Sequence, residues 1–148
     1  MKSLLVLPAA LLLLFAVSCS DNGKGGKVSI TLQEWSVTED KTSLEEGPIE
    51  FTINDKGQRS HEFQVVRTDI AADALPAKAD GSFDSSAPGV DVKQKVDAID
   101  SGGKTGRTYT LSPGKYVFIC NRVETINGTK TSHFGQGMRV AFEVTAKK

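Results

Sequence analysis

Histidine and cysteine are the scarce residues of this 148-residue chain, with two of each. Tryptophan occurs once, tyrosine twice, and aromatic residues make up only 7% of the total. A surplus of either charge is also missing, since 18 Lys and Arg face 18 Asp and Glu. Each shortage excludes something. Without a basic run or closely spaced aromatics there is neither an electrostatic footprint for nucleic acid nor a stacking platform for bases. No apolar run after residue 18 is long enough to span a bilayer. No internal repeat is present, and the length fits one domain.

What is there begins with a leader. Lys2 precedes an apolar run over residues 4–17, too short to span a membrane comfortably and of the right length for a signal-peptide core. The run ends in Ala16-Val17-Ser18-Cys19, which resembles the bacterial lipobox, so Cys19 is the expected lipidation site and residues 1–18 a lipoprotein signal peptide. Cleavage by an ordinary signal peptidase is the alternative. Loss of the leader takes Lys2 with it and leaves 17 basic against 18 acidic residues. Residues 19–27, polar and glycine-rich, read as a flexible tether to a domain over residues 28–146. The expected location is the cell envelope, at the periplasmic side or the cell surface, with the membrane reached through the lipid.

Lipidation changes the cysteine arithmetic. Two cysteines in an exported chain suggest a disulfide, but a lipid on Cys19 leaves Cys120 unpaired. A lone thiol in an oxidising compartment is a liability unless it is buried and inert or bound to something.

Period-two alternation dominates the remainder. Val28, Ile30 and Leu32 share one face of a strand, as do Ile49, Phe51 and Ile53, and later Val140, Phe142 and Val144. A twist or bulge is expected near Glu34, because Trp35 falls on the other parity, and a short strand over residues 41–44. His61, Phe63 and Val65 share a parity that turns the imidazole inward; a core histidine held by a backbone carbonyl is the alternative to a ligand. Tyr116, Phe118 and Cys120 lie on one face of a strand and Val117 and Ile119 on the other, as in a central strand covered on both sides. Ser112-Pro113-Gly114 marks a hairpin or tight corner. Residues 67–106 read as a long crossover with one helical turn over residues 68–75, capped by Thr68 or Asp69, and a short edge strand over residues 92–99. The expectation is an all-β Greek-key sandwich of about seven or eight strands.

Cys120 ends its strand, His133 and Met138 follow with four residues between them, and His61 stands on a distant strand. One thiolate, two imidazoles and one thioether form the ligand set of a mononuclear blue copper site. A core residue at the start of the last strand is the alternative reading of Met138. The Asn-Asp-Lys-Gly turn before His61, the His-Glu-Phe around it, the Ser-Pro-Gly-Lys-Tyr-Val-Phe-Ile-Cys-Asn run and the His-Phe-Gly-Gln-Gly-Met run together resemble the cupredoxins. The resemblance covers roughly residues 28–144, with residues 67–106 unmatched. It implies one type 1 copper held by His61, Cys120 and His133 in a plane with Met138 axial. It also implies that Asn54, or the backbone near Glu62, tunes the sulfur by hydrogen bonding. Docking in such proteins occurs beside the second histidine, where Phe134 would form an apolar patch and Arg122 would stand near it.

One departure is large. Twelve residues, 121–132, separate Cys120 from His133 where the family leaves two to four. Asn127-Gly128 is a strong hairpin signal, and a type I′ turn there would pair Ile126 with Thr129 through to Val123 with Ser132. Residues 123–132 would then fold out as a ribbon and set Arg122 beside His133. Deleting them should preserve copper binding and alter the rate with a partner.

The function expected is that of a monomeric, non-enzymatic electron carrier serving an unidentified redox protein. With one cysteine ligand a binuclear thiolate-bridged copper centre is excluded. With two histidines, no second imidazole site and no Ser-His-Asp triad can be built beside the first. The alternatives are a copper-binding or copper-delivery lipoprotein without electron traffic, and a metal-free interaction module of the same fold.

Overall fold

A computed structural model describes residues 23–148; the leader and Cys19 lie outside them. Two sheets face one another. The first has the order β2 (Ser36–Glu39), β1 (Gly26–Gln33), β4 (Gly47–Asp55), β7 (Lys104–Leu111). The second has the order β3 (Ser43–Glu45), β11 (Arg139–Thr145), β8 (Gly114–Ile119), β5 (His61–Thr68), β6 (Val90–Ile99). A separate two-stranded ribbon joins β9 (Val123–Ile126) to β10 (Thr129–Ser132). Among the described residues no helix is long and apolar enough to cross a membrane.

Alternation places the core. On β4, Ile49, Phe51, Ile53 and Asp55 are buried while the residues between them are exposed or half-buried. Their partners across the sandwich are Phe63, Tyr116, Phe118 and Phe142, with Phe118 in ring contact with Phe51, Phe63 and Phe142. Strand β8 serves two cores. Tyr116, Phe118 and Cys120 face the sandwich interior, while Val117 and Ile119 face a second cluster with Val66, Leu75, Phe83 and Phe134. Leu75 and Phe83 come from the crossover after β5, which lies over the outer face of the second sheet.

Several sequence expectations shift. Residues 34–35 form the two-residue turn between β1 and β2, with Gln33 facing Ser36. The strand expected at residues 41–44 begins at Ser43, and a further strand, β2, precedes it. Strand β1 starts at Gly26, inside the expected tether, because its backbone pairs with β4 from Ile49 onward. The helical turn is a short 3-10 turn over Ala72–Ala74 without a side-chain cap; Thr68 Oγ1 is engaged with Gly89 O and Ile70 N instead. The edge strand is longer than expected, ten residues, since it pairs along β5 from His61 to Thr68. Ser112-Pro113-Gly114 is a corner, because β7 and β8 belong to different sheets.

Candidate metal centre

Three stretches meet at one end of the sandwich: the turns around Glu34 and Asp55, the start of β5, and the segment from Cys120 to Met138. His61, Cys120, His133 and Met138 are all without solvent exposure. Cys120 Sγ lies 3.4 Å from His133 Nδ1. The rings of His61 and His133 are 5.0 Å apart between centroids, and Trp35 stands edge-on to His133 at the same separation. Met138 is bound into the arrangement by backbone: its carbonyl accepts from Cys120 N–H, and its own N–H donates to His133 O. Among the described residues no three His, Cys, Asp or Glu side chains already stand at mutual coordinating distance. Cys120 and His133 do so as a pair, and His61 joins them through its ring contact.

The ribbon has the register its Asn-Gly turn dictates. Ile126 faces Thr129, Thr125 faces Lys130, Glu124 faces Thr131 and Val123 faces Ser132. Asn127 and Gly128 have φ of 49° and 80°, the left-handed values a type I′ turn requires. Its two ends meet, and His133 N–H donates to Arg122 O at 2.9 Å, so the insertion leaves Cys120 and His133 side by side.

Hydrogen bonding fixes these side chains. Glu62 N–H donates to Cys120 Sγ, 3.4 Å away. Burial nonetheless pushes the Cys120 thiol up to about 11, so the metal-free protein holds a neutral SH. His61 Nδ1 lies 2.9 Å from Asp55 Oδ2, whose other oxygen accepts from Gly57 N–H. His61 Nε2 is buried and has no hydrogen-bond partner; Glu34 Oε1, at 4.0 Å, is beyond reach. His133 Nε2 lies 2.8 Å from Glu124 Oε1, and Glu124 Oε2 pairs with Arg59 at 3.2 Å. Burial lowers the His133 pKa and so favours a neutral ring, outweighing the Glu124 hydrogen bond, which acts to raise it. Burial opposes charge on Glu124 but is outweighed by His133 and Arg59, leaving its carboxyl below the usual range. A buried nitrogen without a donor, beside a thiol and a neutral imidazole, fits a soft metal ion better than it fits a packed core.

Two expected roles are corrected. Asn54 does not reach the sulfur: its parity on β4 points it outward, and its amide bonds Ser29 Oγ and Ile30 O. The next residue, Asp55, turns inward and meets His61, a placement the alternation from Ile49 already carried. Phe134 is not a surface residue: it is 1% exposed, packs on Phe83, and has the Arg139 guanidinium 4.7 Å from its ring centre. The crossover supplies that apolar partner, and its unpatterned sequence gave no sign of it. Glu62 keeps its place by backbone, and its side chain accepts from Asn121 N–H. Arg122 is half-buried beside His133, with its Nε lacking a partner. Neither Glu124 nor Trp35 was expected to touch His133 from the sequence. The ribbon register alone places Glu124 one pair from the end that meets His133.

No family model and no curated protein matches this chain. Solved structures do. Reduced auracyanin from the photosynthetic bacterium Roseiflexus castenholzii superposes with a TM-score of 0.54 at 17% identity, over 83% of this chain and 98% of that one. Auracyanin B gives 0.51 at 18%, over 82% and 90%. Reduced rusticyanin gives 0.51 at 20%, over 83% and 81%. At such identities the likeness is one of fold, and the fold is the cupredoxin β-sandwich.

Proposed function

We propose that this chain is a mononuclear type 1 copper protein that carries single electrons at the cell envelope. The observation that carries the reading is a buried free thiol facing a ring nitrogen, Cys120 Sγ to His133 Nδ1 at 3.4 Å, with His61 and Met138 beside them. The fold supports it, since the auracyanin and rusticyanin structures it resembles are blue copper cupredoxins. His61, Cys120 and His133 would hold the ion, with Met138 as a fourth, weaker ligand.

When bound, copper supplies a one-electron couple between Cu(I) and Cu(II). The chain supplies rigidity. Strand β8 is packed on both faces, so Cys120 at its end cannot swing away without disturbing two cores. The backbone N–H of Glu62 offsets negative charge on the sulfur. Complete burial of both histidines excludes water from the ligand atoms. Both histidines are committed here, which leaves no imidazole for a catalytic triad or a second copper centre; the role is transfer, not catalysis.

A lipid on Cys19 would anchor the domain. Its redox partner would approach the ribbon and Arg122, since Phe134 is inside. The test is the visible spectrum of the copper-loaded protein, with voltammetry. An intense thiolate-to-copper band, lost in Cys120→Ser, together with a reversible couple, is expected. Stoichiometric copper without that band would overturn the type 1 assignment. A colourless protein that passes copper to an acceptor would instead be a delivery protein.

A further inference from the structure

We infer that Trp35 is where an electron crosses between this chain and its redox partner, and that the partner docks there with an uncharged, apolar patch over its own one-electron centre. The inference rests on the copper reading above and narrows the approach described there to the side of His133 that Trp35 covers.

His61, Cys120, His133 and Met138 are all without solvent exposure, so an electron has to pass through a group that covers them. Asp55, against His61, is itself buried. Glu34 and Glu124 reach the surface, but as carboxylates. Trp35 stands edge-on to His133 with 5.0 Å between ring centroids, and it is half-buried. Among the described residues in ring contact with His133, it is the one that reaches the surface. Docking over a carboxylate strips water from a charge, whereas docking over an indole releases water from apolar surface. Tryptophan is accordingly enriched where the energy of an interface is concentrated.

The turn that carries Trp35 is held firmly. Glu34 Oε1 accepts from the N–H groups of Gln58 and Arg59 at 3.0 and 2.7 Å, and the Arg59 guanidinium pairs with Glu124. Turn and ribbon thus form one frame around His133, with the charges of Glu34, Arg59 and Glu124 engaged inside it. A Cβ on Gly137 would meet Trp35 O at 3.9 Å, which sets the exposed, uncharged run Gly135-Gln136-Gly137 beside the turn. A flat, neutral partner patch fits such a face. A second copy of this chain carries one.

Electron self-exchange between two copies is therefore the assay. One copy is oxidised by one electron as the other is reduced by one, with no bond made or broken and no proton moved. Line broadening in proton spectra of reduced, copper-loaded protein containing a small oxidised fraction gives the rate. Trp35→Leu should keep the thiolate-to-copper band and the potential yet exchange about 30-fold more slowly, the effect of truncating a tryptophan at the centre of an interface. Trp35→Phe should recover most of the rate, and added salt should leave the wild-type rate nearly unchanged. A second measurement reads docking alone. Unlabelled oxidised protein added to nitrogen-labelled metal-free protein should broaden the indole N–H signal of Trp35, the single tryptophan, and the amides of residues 135–137 before any others. Broadening centred on the ribbon, a steep salt dependence, or unslowed exchange in a blue Trp35→Leu overturns the proposal. If Trp35→Leu loses its copper, the wild-type broadening decides. A wild type without the blue band removes the copper reading and this one with it; unslowed exchange in a blue Trp35→Leu removes this one alone.

Discussion

Replacing Glu124 with leucine separates what the ribbon contributes from what its presence shuts out. Leucine keeps a side chain of similar bulk over His133 but offers no acceptor to Nε2–H, and it excludes the water that could take over. An unsatisfied buried donor costs about 1–3 kcal/mol. The lost pair with Arg59, partly exposed, adds at most about 1 kcal/mol. The metal-free protein should therefore lose about 2–3 kcal/mol, which lowers a urea midpoint by roughly 1 M. The informative contrast is a shortened ribbon. Removing residues 124–126 and 129–131 brings Asn127-Gly128 between Val123 and Ser132, which already face one another. That variant also lacks Glu124, but it opens His133 Nε2–H to water. Halving the twelve-residue connection between Cys120 and His133 also returns about 0.6 kcal/mol of closure entropy. It should therefore be more stable than Glu124→Leu by about 1 kcal/mol despite having lost six residues. Urea unfolding followed by the fluorescence of Trp35, which rests on His133, measures both. The reasoning fails if Glu124→Leu stays within about 0.5 kcal/mol of wild type, or if the shortened ribbon is the less stable of the two.

Other perturbations have equally definite outcomes. Phe134→Ala should cost about 3–5 kcal/mol in urea unfolding, as expected for an aromatic ring removed from a packed cluster; a loss under about 1 kcal/mol would return Phe134 to a surface role. In the metal-free native protein at neutral pH, Cys120 should react with iodoacetamide far more slowly than in denaturant, because the thiol is buried and protonated; equal rates would contradict that burial. Met138→Gln should keep copper and lower the potential in voltammetry, and an unchanged potential would remove Met138 from the ligand set.

Alternation made much of this molecule legible. The two-sided apolar pattern around Cys120 announced a strand between two cores, and the structure has both. Asn127-Gly128 gave the ribbon its register because a two-residue turn leaves only one pairing. The parity of β4 also held information that went unread, since Asp55 lies on the same face as Ile49, Phe51 and Ile53. The crossover after β5 was opaque for a physical reason. Its order comes from contacts distant in sequence, such as Phe83 N–H to Asn121 Oδ1 and Ser132 Oγ to Gly81 O, which leave no local period. Phe134 was misplaced as a result: its cover arrives from fifty residues upstream.

The parallel pairing of β3 with β11, at one edge of the second sheet, bears on how the protein is made. Ser43 aligns with Glu143 and Glu45 with Thr145, so β3 waits for nearly the whole chain before it has a partner. Such distant pairings close slowly. Cys120 emerges from the ribosome before Met138 and β11, the elements that bury it. Each newly made molecule thus passes through an interval in which its thiol is open to disulfide exchange and oxidation. The fraction that reaches the native state with Cys120 intact is set by a race between strand closure and whatever oxidants the unfolded chain meets. Yield is then a kinetic property, governed by how promptly the last strand arrives.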